Sequence, residues 1–242
     1  MRKYGLIGYP LDHSFSPAFF QTKFQRSGLS DQFSYDAYPI ESALLLPDFL
    51  NSTELQGFNV TIPYKSKIIP LLDQIDEHAD NIKAVNCIKK SENGWIGYNT
   101  DYLGFSLALK EVWDLAGIRN ALVFGDGGSS KAIQYALSNL NIRFKVISRS
   151  GKQNYHTLSP SEIRSTDLLI NTTPLGMKPM MDQYPDIPYE AISQKNFCFD
   201  LIYNPTETLF LKKSRLLGAH IQNGMRMLQL QAEASWEIWN NT

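Results

Sequence analysis

The feature that most constrains the fold is a glycine-rich turn between an apolar run and a helical pattern. Residues 120–130 read Asn-Ala-Leu-Val-Phe-Gly-Asp-Gly-Gly-Ser-Ser. The apolar run 121–124 is typical of a buried parallel strand, and residues 131–140 predict a helix. Such a turn presents the free N–H groups of a helix N-terminus to the pyrophosphate of a dinucleotide. The alternative is an ordinary strand–helix turn, so the dinucleotide site is a hypothesis that needs support from the rest of the chain.

The small residues of the turn have separate roles in this hypothesis. Gly125 permits the tight turn, and Gly127 lets the backbone come close to a pyrophosphate. The third position holds Ser130 instead of glycine, and serine is still small enough for close packing of the helix on the strand. The predicted cofactor-binding residues of the turn are Gly125, Asp126, Gly127, Gly128 and Ser129.

The residues after the next predicted strand, 143–147, indicate which dinucleotide binds. NAD-binding enzymes usually place Asp or Glu about 20 residues after the glycines, where it binds the ribose 2′-hydroxyl. Here Arg149 stands 24 positions after Gly125, between Ser148 and Ser150. The guanidinium group of arginine can bind phosphate through two parallel hydrogen bonds, and the neighbouring serine hydroxyls can also donate to a phosphate. The three residues therefore predict NADP as the cofactor, with a solvated basic turn as the alternative.

Composition limits the classes of protein to which the chain can belong. Its 242 residues are 43 % hydrophobic and 19 % charged, as in a folded globular protein of one or two domains. A net charge of −1 argues against a nucleic-acid or anionic-membrane partner, and two cysteines are too few for a zinc cluster or a disulfide framework. No stretch reads as a membrane span or a signal peptide. We therefore expect a cytoplasmic protein without a bound metal. Composition does not separate a monomer from a homodimer, and both stay open.

A first cluster of polar residues follows the predicted strand 3–8. Ser14 and Ser16 lie just past its carboxyl end, where open α/β sheets place ligands. Ser16 precedes Pro17 and is predicted to be the N-cap of the next helix, so capping alone is the alternative to ligand binding. His13 is a further acid–base candidate, with no partner visible in the sequence.

A second cluster follows the predicted strand 55–60. Asn59, Thr61 and Lys65 gather where this strand ends and a helix over 65–73 is expected to begin. Three polar groups at such a place suit a small polyhydroxylated ligand. A strand–turn–helix junction with a surface lysine is the alternative.

A carboxylate marks the connection between the two halves of the chain. An Asn93-Gly94 turn predicts a hairpin of strands 85–89 and 94–98. Asp101 follows it, before a predicted helix 102–115 that leads to the glycine-rich turn. A carboxylate here is well placed to meet both substrate and cofactor, although capping of the helix explains it too.

Taken in order, these motifs resemble those of the shikimate dehydrogenase family, and the resemblance covers nearly the whole chain. The matching segments are 7–10 with 13–17, 57–65, 84–86, 98–101, 171–177, 200–205 with Thr208, and 224–232. The resemblance implies a two-domain α/β fold with the active site in the cleft between the domains. One is a substrate-binding α/β domain, 1–101, completed by the C-terminal helix 225–242, and the other is a Rossmann-type NADP-binding domain with a doubly wound parallel sheet, 102–224.

The resemblance also implies the reaction, which is the reversible NADPH-dependent reduction of 3-dehydroshikimate to shikimate on the route to chorismate and aromatic amino acids. Lys65 and Asp101 correspond to the catalytic pair. The implied substrate-binding residues are Ser14, Ser16, Asn59, Thr61, Lys65, Asn86, Asp101, Tyr203 and Gln231. The implied cofactor-binding residues beyond the turn are Ser148, Arg149, Ser150, Thr172, Leu201 and Gly224.

Three positions depart from the family pattern. Asp126 replaces a small residue in the turn, Ser148 stands where asparagine is usual, and Ser150 replaces threonine. These changes bear on cofactor affinity more than on the reaction type. Two alternatives stay open, namely a quinate/shikimate dehydrogenase of broader specificity and a non-catalytic NADP-binding regulator on the same fold.

Overall fold

The computed structural model describes residues 1–12, 14–113, 117–149, 151 and 153–240. Backbone contacts divide the chain into two compact units. The first unit comprises Met1–Thr100 together with the chain from Ala232 onwards, and the second comprises Asp101–Gln231. Both units contain sheets and helices, which confirms the predicted α/β class. The predicted roles of His13 and Ser150 lie outside the described residues.

The first unit is built on a six-stranded mixed sheet. Its strands are β1 (Arg2–Gly8), β2 (Phe33–Pro39), β3 (Gly57–Val60), β4 (Gln74–Ile75), β5 (Cys87–Ser91) and β6 (Gly94–Tyr98). Its helices are α1 (Phe15–Arg26), α2 (Leu46–Ser52) and α3 (Glu77–Ile82). The order is β2-β1-β3-β5-β6-β4, in which β1 is parallel to β2 and β3, while β5 is antiparallel to β3 and β6. The carboxyl ends of β1 and β3 therefore lie side by side, and they bring the first two predicted polar clusters to one edge.

An aromatic core covers one face of this sheet. Phe20 of α1 stacks on Tyr35 with ring centroids 4.3 Å apart, and Tyr4 stacks on Trp239 at 4.8 Å. The indole N–H of Trp239 donates to the carbonyl of Ile88 at 2.9 Å. Complete burial of each such ring contributes about 1.5–3 kcal/mol. The C-terminal part of the last helix is therefore in the first unit's core.

The second unit contains a five-stranded sheet in which every pair is parallel. Its strands are β7 (Asn120–Phe124), β8 (Arg143–Ile147), β9 (Leu168–Asn171), β10 (Phe197–Asp200) and β11 (His220–Gln222). Its helices are α4 (Asp101–Val112), α5 (Gly128–Asn139), α6 (Pro160–Arg164), α7 (Leu209–Leu216) and the first part of α8 (Met225–Asn240). Alternate residues of β7 face two separate cores, with Val123 in one and Leu122 in the other. This arrangement confirms the predicted doubly wound parallel sheet.

The strand order of the second unit reverses at β7. The order is β11-β10-β9-β7-β8, so the chain moves from β7 first to one neighbour and then to the other. Ligands of doubly wound sheets bind beside such a reversal, at the carboxyl ends of the strands. The glycine-rich turn follows β7 and Thr172 follows β9, so both lie at this point.

Two local predictions for the first unit were wrong. Residues 65–73 form turns and a short 3₁₀ helix, Ile69–Leu71, because Pro70 has no N–H to continue an α-helix there. Helix α1 begins at Phe15 with Ser14 in the N-cap position, so Ser16 is not the cap. Pro17 lies in the first turn, where a missing N–H costs nothing.

Three further features bear on the class of protein. Cys87 and Cys198 are both buried free thiols. Among the described residues, no helix has the length and apolar character needed to cross a membrane. The same residues contain no group of three or more His, Cys, Asp or Glu placed to hold a metal ion.

Candidate active site

The start of α1 places two serines beside the end of β1. Ser14 has extended backbone at the N-cap, and Ser16 is buried in the first turn. Burial raises the pKa of the Tyr35 hydroxyl well above its usual value, and a hydrogen bond with Ser16 opposes that shift. The side chain of Ser16 therefore already has one partner within the first unit.

Asn59 near the end of β3 is the centre of a buried polar network. Its Oδ1 accepts a hydrogen bond from the Tyr35 hydroxyl at 2.8 Å. Its Nδ2 donates to the carbonyl of Asn86 at 3.1 Å and to the hydroxyl of Ser235 at 2.9 Å. Both amide hydrogens are therefore used inside the unit, and only acceptor capacity on Oδ1 remains. The predicted contact of Asn59 with substrate stays a prediction, restricted to that oxygen.

Asn86 and Thr100 tie the two strands of the hairpin to α8. The backbone N–H of Thr100 donates to Oδ1 of Asn86 at 2.6 Å, and Nδ2 of Asn86 donates to the Thr100 hydroxyl at 3.0 Å. The Thr100 hydroxyl also lies 3.2 Å from the hydroxyl of Ser235. This network holds Thr100, the last residue before Asp101 and α4. Asp101 is buried in the first turn of that helix, where the helix dipole favours a carboxylate.

Lys65 lies in the turn after β3, next to a buried anchor. The neighbouring Tyr64 is buried in the core, and the carbonyl of Lys65 accepts a hydrogen bond from the N–H of Val85 at 2.7 Å. The side chains of Lys65 and Thr61 are half-buried. Lys65 belongs to the first unit and Asp101 to the second, so their action as a pair stays a prediction.

The glycine-rich turn leaves open space at the N-terminus of α5. Helix α5 begins at Gly128 with Gly127 as its N-cap, and a Cβ at Gly127 would have no atom within 4 Å. The space over the helix N-terminus is therefore open to a ligand, and the first N–H groups of the helix have no partners within the helix itself. Ser129 is half-buried in the first turn of α5.

Ser130 has a part in the turn that sequence reasoning missed. It is completely buried, and its hydroxyl donates to the carbonyl of Gly125 at 2.6 Å. It also accepts from Nε2 of Gln134 at 3.1 Å. The serine therefore closes the turn with a hydrogen bond that glycine cannot make. The only signal in the sequence was its hydroxyl, which is typical of the beginning of a helix.

Arg149 and Asp126 lie around one tyrosine that the sequence analysis did not single out. The pKa of the Tyr155 hydroxyl is raised to about 12, mainly because the group is buried. The charge of Arg149 opposes this rise in pKa, and the charge of Asp126 adds to it. Both charges therefore reach the same hydroxyl, and both residues are exposed. Ser148, before Arg149, is buried, with its N–H bonded to the carbonyl of Gln153 at 3.2 Å.

The structure brings together two cofactor-site candidates that are distant in sequence. The N–H of Gly224 donates to the carbonyl of Ile202 at 3.0 Å, and a Cβ at Gly224 would collide with the carbonyl of Leu201. Tyr203 is half-buried in the same loop.

Gln231 is buried on α8, with its Nε2 bonded to the carbonyl of Leu228 at 3.0 Å.

Comparisons with known proteins agree with this architecture. The model of the shikimate dehydrogenase substrate binding domain matches residues 6–88. A shikimate dehydrogenase (NADP(+)) of Methanococcus maripaludis is 37 % identical over 254 aligned residues, which cover 97 % of this chain and 90 % of the relative. A crystal structure of a shikimate dehydrogenase in complex with NADP+ has a TM-score of 0.90 at 31 % identity, over 100 % of this chain and 91 % of that one.

A second solved structure is the shikimate 5-dehydrogenase of Thermus thermophilus in complex with NADP(H) and shikimate. It has a TM-score of 0.86 at 28 % identity and covers 100 % of this chain and 94 % of its own. Similarity of this extent includes both compact units and the segments that join them. The chain therefore belongs to the shikimate dehydrogenase family.

Proposed function

We propose that this chain catalyses the reversible NADPH-dependent reduction of 3-dehydroshikimate to shikimate, a step towards chorismate and the aromatic amino acids. The observation that carries the proposal is the 37 % identity to an NADP(+) shikimate dehydrogenase over 97 % of the chain. We further propose that most substrate-binding residues belong to the first unit and that the second binds NADP, in a cytoplasmic enzyme that is a monomer or a homodimer.

The second unit has groups that suit NADP. The open N-terminus of α5 over Gly127 suits the pyrophosphate, and the exposed Arg149 suits the 2′-phosphate. Thr172, Leu201 and Gly224 complete the proposed site around the strand-order reversal. When bound, NADPH supplies the hydride that the reduction adds to the ketone carbon.

Lys65 and Asp101 are the proposed catalytic residues. The ammonium of Lys65 stabilises the negative charge that grows on the ketone oxygen and gives that oxygen a proton. In the reverse direction the amine accepts the proton from the hydroxyl. Asp101 orients Lys65 and a substrate hydroxyl, and the hydrogen bonds between Asn86 and Thr100 hold the backbone from which Asp101 projects.

The proposed substrate pocket consists of neutral hydrogen-bonding groups. Ser14, Ser16 and Tyr203 bind the carboxylate as donors. Thr61, Asn86 and Gln231 bind hydroxyls, and Asn59 accepts through its remaining Oδ1 capacity. Such a pocket discriminates strongly, because a substrate that lacks one hydroxyl leaves a buried partner unpaired.

The test follows the absorbance of NADPH with 3-dehydroshikimate, then with 3-dehydroquinate, and repeats both with NADH. We expect turnover with 3-dehydroshikimate and NADPH. Comparable efficiency on 3-dehydroquinate with NADH would instead identify the quinate/shikimate enzyme of broader specificity, which Arg149 argues against. Tight binding of NADPH without turnover on either substrate would identify a regulator.

A further inference from the structure

A buried carboxylate in the second unit has no role in the mechanism described above. Asp200 ends β10 and is completely inaccessible to solvent. Its Oδ1 accepts hydrogen bonds from Nδ2 of Asn171 at 3.1 Å and from the N–H of Ile202 at 2.9 Å. Its Oδ2 accepts from the hydroxyl of Thr208 at 2.6 Å. All three donors are neutral, so none of them balances the charge.

The three donors belong to three different segments around the proposed site. Asn171 ends β9 directly before Thr172, and Ile202 lies between two residues of the proposed site. Thr208 is the N-cap of α7, where its hydroxyl also accepts from the N–H of Leu211 at 3.3 Å. The side chain of Asp200 therefore bonds to all three segments at once.

The loop after β9 continues this network. Oδ1 of Asn171 accepts from the N–H of Thr173 at 3.0 Å and from its hydroxyl at 2.6 Å. Nδ2 of Asn171 donates also to the carbonyl of Leu175 at 3.2 Å. The loop after β9 is thus bonded to the side chain of Asn171, and that side chain is in turn held by Asp200.

The loop after β10 is joined to the start of α8 in the same way. The carbonyl of Ile202 accepts from the N–H of Gly224, while the N–H of Ile202 donates to Asp200. If the Asp200 carboxylate moved, Ile202 would move with it, and the backbone at Leu201, Tyr203 and Gly224 would shift as well.

A carboxylate in this environment is costly for stability. Burial raises the pKa of Asp200 to about 6, against the hydrogen bonds from Thr208, Ile202 and Asn171, which lower it. The charge of Asp200 reaches the buried hydroxyl of Tyr189 and the thiol of Cys198, which are neutral at neutral pH. Perturbed buried acids of this kind are concentrated at functional sites.

We propose that Asp200 is a positioning residue, which fixes the loop after β9 against the loop after β10 so that Thr172, Leu201 and Tyr203 keep the spacing that bound NADPH and substrate require. The inference rests on the proposed function, because that function assigns the two loops to the site. Asp200 itself need not touch a ligand. Misplacement of reacting groups by about 1 Å costs on the order of 10²-fold in rate.

The test compares Asp200→Ala with a control at the other end of the same strand. Asn196 precedes β10 and is completely buried, and its Nδ2 donates to the carbonyls of Ile163 at 3.2 Å and Thr166 at 2.6 Å. Asn196→Ala therefore removes a comparable buried network from the end of the strand that lies away from the loops. The measurements are the melting temperature, the Kd for NADPH by fluorescence titration, and kcat and KM with 3-dehydroshikimate.

We expect both alanine variants to lower the melting temperature, and only Asp200→Ala to weaken NADPH binding by about tenfold and to lower kcat by about 10²-fold. Asp200→Asn can still accept two hydrogen bonds at Oδ1, and its Nδ2 can donate to the Thr208 hydroxyl, so all three links remain. Its Kd and kcat should therefore stay within about threefold of wild type. Equal effects of Asp200→Ala and Asn196→Ala on Kd and kcat, or no effect of Asp200→Ala on either, would overturn the proposal.

Three further outcomes of the experiment can be told apart. If Asp200→Ala does not fold, Thr208→Val removes one donor, and an unchanged Kd and kcat in that variant would overturn the proposal. If wild type binds NADPH but does not reduce 3-dehydroshikimate, the proposed reaction fails, while the Kd values still decide the role of Asp200. If wild type does not bind NADPH, both proposals fail.

Discussion

The hydroxyl oxygen of Thr172 lies 2.8 Å from the position that a Cβ on Gly125 would occupy. The N–H and the hydroxyl of Thr172 both donate to the carbonyl of Phe124, at 2.9 and 2.7 Å, so the threonine is held in place. Gly125 also has a φ of +106°, which residues with a Cβ rarely adopt. The turn after β7 can therefore pass this close to Thr172 because residue 125 has no side chain.

The first prediction separates the two glycines of the turn. Gly125→Ala should destabilise the protein by roughly 1–3 kcal/mol, because it combines a positive φ with the contact to Thr172. Gly127→Ala has ordinary φ and open space, so the free energy of unfolding should change by less than about 0.5 kcal/mol. Its NADPH affinity should nevertheless fall by about tenfold, because the methyl group occupies the space of the pyrophosphate. Denaturant unfolding and NADPH titration measure the two effects. Unchanged NADPH affinity in Gly127→Ala would contradict the proposal that the pyrophosphate binds beside Gly127.

The second prediction concerns cofactor preference. Arg149→Asp should lower the ratio of NADPH to NADH efficiency by about 10- to 10²-fold, since a hydrogen bond to a charged group contributes about 1.5–3 kcal/mol. Arg143→Asp is the matched control, because Arg143 is exposed at the opposite end of the same strand, β8. Steady-state kinetics with both cofactors provide the ratio. An unchanged ratio in Arg149→Asp, or an equal change in the control, would show that Arg149 does not bind the 2′-phosphate.

The third prediction concerns proton transfer. Lys65→Ala should lower kcat by about 10²- to 10⁴-fold, the usual contribution of a general acid or base. Lys67→Ala removes an exposed lysine from the same turn and should leave kcat within about twofold. A Lys65→Ala enzyme that keeps more than about a tenth of wild-type kcat would exclude proton transfer by Lys65.

The fourth prediction concerns the acid in the glycine turn. Asp126→Ala should tighten NADPH binding by about two- to fivefold, because an exposed carboxylate repels the phosphates only through solvent. The gain should shrink as salt is raised. Asp31→Ala, which removes an exposed charge from the first unit, serves as the control for net charge. Weaker binding in Asp126→Ala would show that the acid has a favourable role, for example through Arg149.

The fifth prediction follows from the raised pKa of Asp200. The folded protein holds this proton up to about pH 6, whereas an unfolded aspartate loses it near pH 3.8. The unfolded state therefore binds fewer protons between these values, and the contribution of Asp200 to stability is lost as the pH rises. Asp200→Asn does not titrate. The stability of wild type relative to Asp200→Asn should consequently fall by about 2 kcal/mol from about pH 4.5 to about pH 7.5. Denaturant unfolding across this range measures it, and a constant difference would contradict the shift.

The strand–turn–helix around Gly125 could be predicted from sequence because its signals are local. The apolar run, the glycines and the helical pattern lie next to one another, and the observed β7 and α5 follow them closely. The helix predicted over 65–73 was wrong because Pro70 lies near the middle of this segment, and its ring cannot enter a helix interior. Local sequence patterns therefore predicted β7 and α5 of the second unit correctly, but they did not predict the turns at 65–73 in the first unit.

The buried networks could not be predicted, because their partners are distant in the chain. Asn59 was expected to bind a substrate hydroxyl, but one of its amide hydrogens bonds Ser235, which lies 176 positions later. Asp200 was recognised only as part of a motif, since nothing local shows that its carboxylate will be buried among neutral donors. Such partners become visible only when the fold is known.

The contribution of Trp239 to the aromatic core of the first unit has a consequence for biosynthesis. During translation, Tyr4, Phe20 and Tyr35 emerge long before the helix that covers them. The part of the protein that is made first therefore keeps an uncovered aromatic surface until α8 is synthesised, and it is among the last parts to reach its native packing. In the cell, this exposed aromatic surface is therefore prone to aggregation while synthesis continues.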